Sequence, residues 1–442
     1  MAPLDQLLEF LRIPSISTVP AHAADTARCA EWVADLARGF GFNVAVEPTP
    51  GHPIVTARGP VQAGRRTVLV YGHYDVQPVD PLALWTSPPF EPAVRDGCVF
   101  ARGASDNKGQ ILAHLLAAGE VLRKEGDLPV NLIFLIEGEE EVGSTHFGPF
   151  LSAHRAELGC DVVVVSDSTM IAPGVPTVAY GLRGITGMEL VVRGPDHDLH
   201  SGCFGGAVAN PATVAARLVA ALHDASGRIV VPGFHDRVRP LEAWEREAWR
   251  RVPYGDTELL ANTGAPQLVA EPGFTPIECV WGRPTAEVNG IGGGYQGEGS
   301  KTVIPSEARV KLTFRLVPDQ HPDEIAACVG RHFRALVPPS VSLEIRAGHG
   351  ARPYLADPNS PFGTAARRAL RSAFGREPVL IREGGSIPLA TLMRDTLGVD
   401  TLLLGLALPD CNAHAPDESF PIANLEAGMR MHRELLRELA TL

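Results

Sequence analysis

The sequence contains no run of about 18 apolar residues, the length a helix needs to cross a bilayer. With 45% hydrophobic and 20% charged residues among 442, it reads as a water-soluble globular protein. Cysteine is sparse and unpatterned. The seven, Cys29, Cys98, Cys160, Cys203, Cys279, Cys328 and Cys411, are odd in number and include no CxxC pair, which argues against a disulfide framework or a cysteine zinc site and fits a reducing cytoplasm. Basic residues are outnumbered: 39 Lys and Arg against 51 Asp and Glu leave a net charge of -12, the wrong sign for binding a phosphate backbone, so nucleic acid is not expected as a partner. Residues 1–16 have no basic region leading into an apolar core and a small-residue cleavage site. Leu4, Leu7, Leu8 and Leu11 keep helical spacing instead, so this segment predicts a first helix and not a secretory signal. A phosphate loop is missing too. Residues 294–302, GYQGEGSKT, have Ser300 where GxxxxGK[ST] needs lysine, and Pro305 stands where a helix would have to run.

Four short apolar runs are present, at 67–71, 130–136, 162–165 and 401–406. Each is too short for a typical helix and is followed by polar or turn-forming sequence, the pattern of strands buried on both faces. Between the first two, Ile111, Leu112, Leu115, Leu116 and Leu122 share one side of a helix over 111–123. Such a crossover predicts a βαβ-type sheet. From about 184 to 348 the pattern changes to alternating segments at 188–192 and 309–316, a helix near 211–223, and a polar, Pro-rich stretch over 232–276. A chain of this length is expected to form two domains. We read an α/β sheet domain interrupted by an α+β insertion, divided as 1–183, 184–350 and 351–442.

Each apolar run is followed by an acid or a histidine: His73 and Asp75 in YGHYDVQP, Glu139 to Glu141 in EGEEEVGS, Asp167 in VVVVSDS and His414 in LPDCNAHAPDES. Asp106, in RGASDNKG, precedes the crossover helix. In open α/β sheets ligands bind outside the carboxyl ends of the strands. Singly, these residues have plain explanations: Asp106 as a helix N-cap, Asp167 as a turn former, either histidine as a packed or surface residue. A solvated acidic loop is a poor account of Glu139 to Glu141, which follow the wholly apolar 132–136. Together, two histidines and several carboxylates at one sheet edge match the imidazole and oxygen donors of zinc, cobalt or manganese. Two such ions, about 3.5–4 Å apart, would polarise a carbonyl and generate hydroxide.

The chain resembles the M20 metallopeptidase family, specifically its carnosinase-like cytosolic dipeptidases. The resemblance runs in order through GHYDVQP, GASDNKG, EEEVGS, SDS, DLHSGCFGG, KTVIPSEARVKLTFRLVPDQ, GHGARPY, EGGSIP and NAHAPDE, almost end to end. It implies a zinc aminopeptidase-like catalytic domain, a mixed sheet with flanking helices, carrying an inserted α+β dimerisation or lid domain. It also implies two divalent ions per subunit, zinc first, manganese or cobalt as alternatives. His73 and Asp167 would bind one, Glu141 and His414 the other, and Asp106 would bridge them. Asp75 would orient His73. Glu140 would be the general base, taking a proton from the bridging water and donating it to the leaving amine.

The resemblance places His200 of DLHSG across a homodimer interface, where it would stabilise the oxyanion. Thr302, Arg315, His349 and Ser386 would contact substrate, with Arg315 or its neighbours pairing with a C-terminal carboxylate through the planar guanidinium. On its own, Arg315 inside a strand pattern is as compatible with a surface ion pair. Tyr74, between His73 and Asp75, is bulky enough to shape the site. The implied activity is hydrolysis of dipeptides or similar small peptides with a free C-terminal carboxylate, in the cytoplasm. An N-acyl, N-carbamoyl or N-succinyl amino-acid amidohydrolase could use the same metals and base, because fold does not fix substrate. The long middle segment and the KTVIP block favour the dipeptidase. A binding protein without catalysis would be expected to lack Glu140 or a ligand, and none is lacking.

Overall fold

The structure is a computed structural model that describes all 442 residues except Ser386 and the side chain of His349. The chain forms two compact units. Met1–Tyr180, Ala356–Ile381 and Leu392–Leu442 make the first, and Gly181–Leu355 with Arg382–Thr391 make the second.

The first unit is built on a sheet ordered Asn43–Glu47, Ile54–Arg58, Asn131–Glu137, Thr67–His73, Val162–Val165, Thr401–Gly405 and Thr177–Leu182. Its centre is parallel: Thr67–His73 runs with both Asn131–Glu137 and Val162–Val165, and Val162–Val165 with Thr401–Gly405. The outer pairings are antiparallel, so the sheet is mixed. Every residue of Asn131–Glu137 and Val162–Val165 is buried, which is why 132–136 and 162–165 are apolar throughout, without alternation.

Gly109–Glu125 is the crossover helix, and it is buried on more than the stripe read from the sequence, with Gln110 and His114 enclosed as well. Gly119 permits its close approach to Phe40, since a Cβ there would lie 2.2 Å from that ring. The first helix, Pro3–Leu11, buries Leu7, Phe10 and Leu11. The buried Lys108 ammonium closes its end by donating to the carbonyls of Phe10 at 3.2 Å and Ile13 at 2.7 Å.

The second unit has an antiparallel sheet ordered Thr285–Gly293, Glu307–Leu316, Gly184–Arg193 and Ser342–Ala351. Its apolar face shares a core with helices Pro211–Ala220 and Pro322–Leu336. Buried and more exposed residues alternate along Glu307–Leu316, as a one-sided sheet requires. The Pro-rich stretch is more regular than its composition suggests and contains the helices Ala243–Arg250 and Asp256–Thr263. Glu245 on the first of these is buried in an ion pair with Arg382. Arg382–Thr391 belongs with Gly181–Leu355 in the second unit. Among the described residues no helix is long and apolar enough to cross a membrane.

Candidate metal centre

The groups expected to carry chemistry in the first unit meet beyond the ends of its central strands. His73 is the last residue of its strand, and its Nδ1 lies 3.1 Å from the Asp75 carbonyl. A carbonyl only accepts, so Nδ1 carries a proton, and in the neutral ring Nε2 is the nitrogen left with a lone pair. That Nε2 is 3.0 Å from Asp106 Oδ1 and 3.7 Å from Asp167 Oδ2, yet it has no aligned hydrogen bond. The other oxygen of Asp106, Oδ2, is 2.8 Å from His414 Nε2, which is in turn 3.4 Å from Glu141 Oε2. One carboxylate therefore faces two triads, His73 with Asp167 and Glu141 with His414, and in each the donor atoms fall within 4.8 Å of one another. A third group within the same limit joins His73, Glu140 and Glu141.

Carboxylates outnumber cations here, and protons fill the deficit. Burial raises Glu140 to about 7 and Glu141 to about 9, with neighbouring acids adding to the effect and His73 opposing it. The hydrogen bond to Asp106 raises His414 to about 9. Burial would lower His73, but Asp106, Asp167 and Asp75 hold it well above the ordinary histidine range. Burial would raise Asp106, but His414 and His73 keep it well below the usual carboxylate range. Divalent cations supply the same positive charge without protons. His73 Nε2 and Glu141 Oε1 are buried without hydrogen-bond partners, and the donors are imidazole and carboxylate. These residues fit zinc, manganese or cobalt.

Several residues behave differently from expectation. Asp75 is buried, but its nearer oxygen is 3.4 Å from His73 Nδ1, while its two oxygens accept the backbone N–H groups of Glu140 at 3.3 Å and Glu141 at 3.1 Å. It holds the turn that presents both glutamates more than it holds the imidazole. Glu139 is engaged elsewhere, by His146 Nδ1 at 2.8 Å. Asp106 is not a helix cap: Lys108 occupies the N-cap position of Gly109–Glu125, no side chain caps that helix, and the Asp106 carboxylate faces the two histidines instead. Tyr74 does not shape a pocket; it is fully buried against Gly138 and donates its hydroxyl to the Pro53 carbonyl at 2.6 Å. His414 has a φ of 62°, with Asn412 at 56° and Asp417 at 57° in the same loop. Left-handed backbone at non-glycine residues is costly and concentrates at sites.

Sequence reasoning did not anticipate Gln77 or Asn107. Gln77 Nε2 donates to Glu141 Oε2 at 2.7 Å, and Asn107 Nδ2 donates to Asp167 Oδ1 at 3.1 Å and to the Ser166 carbonyl at 3.3 Å. Both lie inside quoted motifs, where an amide beside an acid was the available signal.

The other expected residues lie in the second unit. His200 is exposed, pairs with Val303, and accepts the Gly202 N–H at Nδ1 over 3.0 Å. Its neutral ring therefore carries the proton on Nε2. Thr302 is adjacent, its carbonyl accepting the Ser201 N–H at 3.0 Å. Arg315 sits opposite Ile185 and Thr285 in the sheet. Arg183, also not anticipated, is lowered to about 10 by burial and then by the charge of Arg315, and its Nε donates to the Gly384 carbonyl at 3.0 Å. Ser386 and the side chain of His349 lie outside the described residues.

A model of peptidase family M20/M25/M40 matches residues 69–438. The chain belongs to this family. It is 29% identical over 446 residues to the Cys-Gly metallodipeptidase DUG1 of Saccharomyces cerevisiae, covering 96% of this chain and 92% of that one. It is 30% identical over 444 residues to the human Beta-Ala-His dipeptidase, covering 97% and 88%. Among solved structures it matches human carnosine dipeptidase 1 at TM-score 0.82 and 30% identity, over 100% of this chain and 96% of that one. It matches an M20 family metallo-carboxypeptidase from Sulfolobus solfataricus at TM-score 0.87 and 33% identity, over 100% of both. The resemblance read from the motifs is borne out, and this M20 chain is a metallopeptidase, a hydrolase acting on peptide bonds.

Proposed function

We propose that this M20 peptidase hydrolyses dipeptides with a free C-terminal carboxylate at a site for two divalent ions. The observation that carries this is Asp106, whose two oxygens face two different histidines, His73 at 3.0 Å and His414 at 2.8 Å. His73, Asp106 and Asp167 would hold one ion, and Asp106, Glu141 and His414 the other, with zinc first and manganese or cobalt as alternatives. Bound there, divalent ions polarise a scissile carbonyl and bring the pKa of water toward neutrality.

Glu140 is the general base. It belongs to neither triad that shares Asp106, and burial raises its carboxyl to about 7. A group in that range can take a proton from the attacking water and give it to the leaving amine. Asp75, by accepting the backbone N–H groups of Glu140 and Glu141, keeps base and ligand in register. His200 offers its Nε2–H to the developing oxyanion. We place it in trans: the partner subunit's His200 completes each site of a homodimer. The exposed edge strand Thr285–Gly293, with Val288 and Ile291 outward, supports pairing through the second unit. Arg315, with Thr302, His349 and Ser386, binds the substrate, and its guanidinium pairs with the C-terminal carboxylate.

The names of the relatives, Cys-Gly metallodipeptidase and Beta-Ala-His dipeptidase, support a dipeptide over an N-acyl or N-carbamoyl amino acid. Solved hydantoinase/carbamoylase amidases are 14% and 15% identical and share the fold alone. Free buried thiols at Cys29, Cys328 and Cys411 fit a reducing cytoplasm. The test is release of amino acids from dipeptides, their C-terminal amides, and N-carbamoyl and N-succinyl amino acids. Free dipeptides should be cleaved and amides should be poor substrates. Equal rates on amides would remove Arg315 from carboxylate binding, and cleavage of the acylated amino acids alone would make the protein an amidohydrolase.

A further inference from the structure

The segment that presents Asp106 is gathered onto one buried anion. Glu418 Oε2 accepts Arg102 Nη1 at 2.7 Å and the Gly103 N–H at 2.8 Å, while Oε1 accepts the Ser105 N–H at 2.8 Å and the Asp106 N–H at 3.0 Å. The side chains of Glu418 and Arg102 are 0% and 1% exposed. The chain on either side is tied in as well. The Ala101 N–H donates to the Glu418 carbonyl at 3.0 Å, and Ser105 Oγ donates to the Ser419 carbonyl at 2.6 Å.

Burial raises the Glu418 carboxyl, and Arg102 with the backbone donors opposes it. Each oxygen must accept two donors, and only the carboxylate form has the lone pairs to do so without placing a proton against an N–H. Glu418 also lies four positions after His414, in the loop where Asn412, His414 and Asp417 adopt left-handed φ. The same residue therefore fixes the backbone behind one expected ligand and anchors the loop of the other.

We infer that Glu418 is a positioning residue for the metal centre, the anion on which the Asp106 segment is assembled beside His414. This rests on Asp106 and His414 being metal ligands. Glu418 acts through the backbone N–H of Asp106 and through its own loop, with its carboxylate wholly committed to those four donors.

Glu418→Gln preserves size but turns one oxygen into an NH2 group that meets two N–H donors in either orientation. The metal-free variant and wild type are compared by circular dichroism, then titrated with Zn2+ in a calorimeter. Zinc affinity should fall by about 10–100-fold, the usual loss when a group that orients ligands is removed, with Glu418→Asp intermediate. Glu245→Gln, which breaks the buried pair with Arg382 in the second unit, is the control: stability falls and zinc affinity does not. A folded Glu418→Gln protein with wild-type zinc affinity overturns the inference. If neither Glu418 variant folds, hydrogen exchange of wild type decides. The peptide over 102–106 should stay protected after the metal is removed, and rapid exchange there would mean that metal, not Glu418, holds the segment. Wild-type protein that binds no zinc, or an Asp106→Ala variant that binds it normally, would instead remove the metal site on which the inference rests.

Discussion

Asp106 and His414 are 308 positions apart in the sequence and 2.8 Å apart in the fold, Oδ2 to Nε2. The antiparallel pairing of Cys98–Phe100 with Ser419–Pro421 brings their two segments together, and the loops beyond it aim both side chains at one point. Without a cation the contact leaves a deprotonated acid against a protonated imidazole. A divalent ion held by these residues would take the place of that proton, so metal uptake is expected to release protons.

The three adjacent glutamates should separate by phenotype. Glu140→Gln should cut turnover by about 10²–10⁴-fold, the range for losing a general acid/base, with metal content close to wild type. Glu141→Gln should lower metal content, read by elemental analysis after dialysis. Glu139→Gln should do neither, because its carboxylate is engaged by His146 at 2.8 Å. Exchanged phenotypes for Glu140 and Glu141 would shift the register by one residue.

Acid should destabilise the protein through a buried histidine pair that takes no part in catalysis. His114 and His432 approach Nδ1 to Nδ1 at 2.8 Å, and His114 Nε2 is 2.8 Å from Ser166 Oγ. Burial lowers His114 from 6.5 to about 4 and puts His432 well below its ordinary value. Both are neutral when folded. The unfolded chain takes up protons that the folded one refuses, so this contribution is complete above pH 6.5 and is lost as pH falls toward about 4. For His114 alone it amounts to about 3 kcal/mol. The buried carboxyls raised by burial oppose this trend, so the histidine contribution is read as a difference: as pH falls from 6.5 to about 4, the Tm of metal-free His114→Leu/His432→Phe should rise relative to that of metal-free wild type. An unchanged slope in the double variant would contradict it.

Complementation tests the trans placement of His200. His200→Ala should lose about 10²–10³-fold in turnover, the cost of one oxyanion donor, and keep its metal. Mixed with an equally inactive Glu140→Gln chain, it should give heterodimers in which one site has both a working Glu140 and the partner subunit's His200. A random mixture should recover about a quarter of wild-type activity. No recovery after confirmed subunit exchange would place His200 in its own chain's site or in a structural role.

What was legible in the sequence followed from burial. Val162–Val165 could be read to the residue because a strand covered on both faces is apolar throughout. The Thr67 strand was read short: it continues through Gly72 to His73, paired as far as Glu137, and a histidine at a strand end looks like the start of a loop. Asp106 could be read as cap or ligand because both precede a helix. Its contacts with His73 and with His414, the latter brought in from the far end of the chain, separate them. The backbone contacts of Asp75, which the sequence had offered only as the partner of His73, and the roles of Gln77 and Glu418 were opaque for another reason. Their partners are backbone N–H groups or the Glu141 carboxylate, positions that no side-chain pattern encodes. The 382–391 segment belongs to the second unit, where Arg382 pairs with Glu245, and these two residues are far apart in sequence.

The most direct measurement is a zinc titration of metal-free protein with dipeptide hydrolysis and metal binding followed together. The metal-free protein should be inactive, and activity should rise with added zinc and level off at about two equivalents per chain, as expected for two ions sharing Asp106. Full hydrolysis by exhaustively metal-free protein, or saturation with zinc without any hydrolysis of dipeptides, would contradict a two-metal dipeptidase.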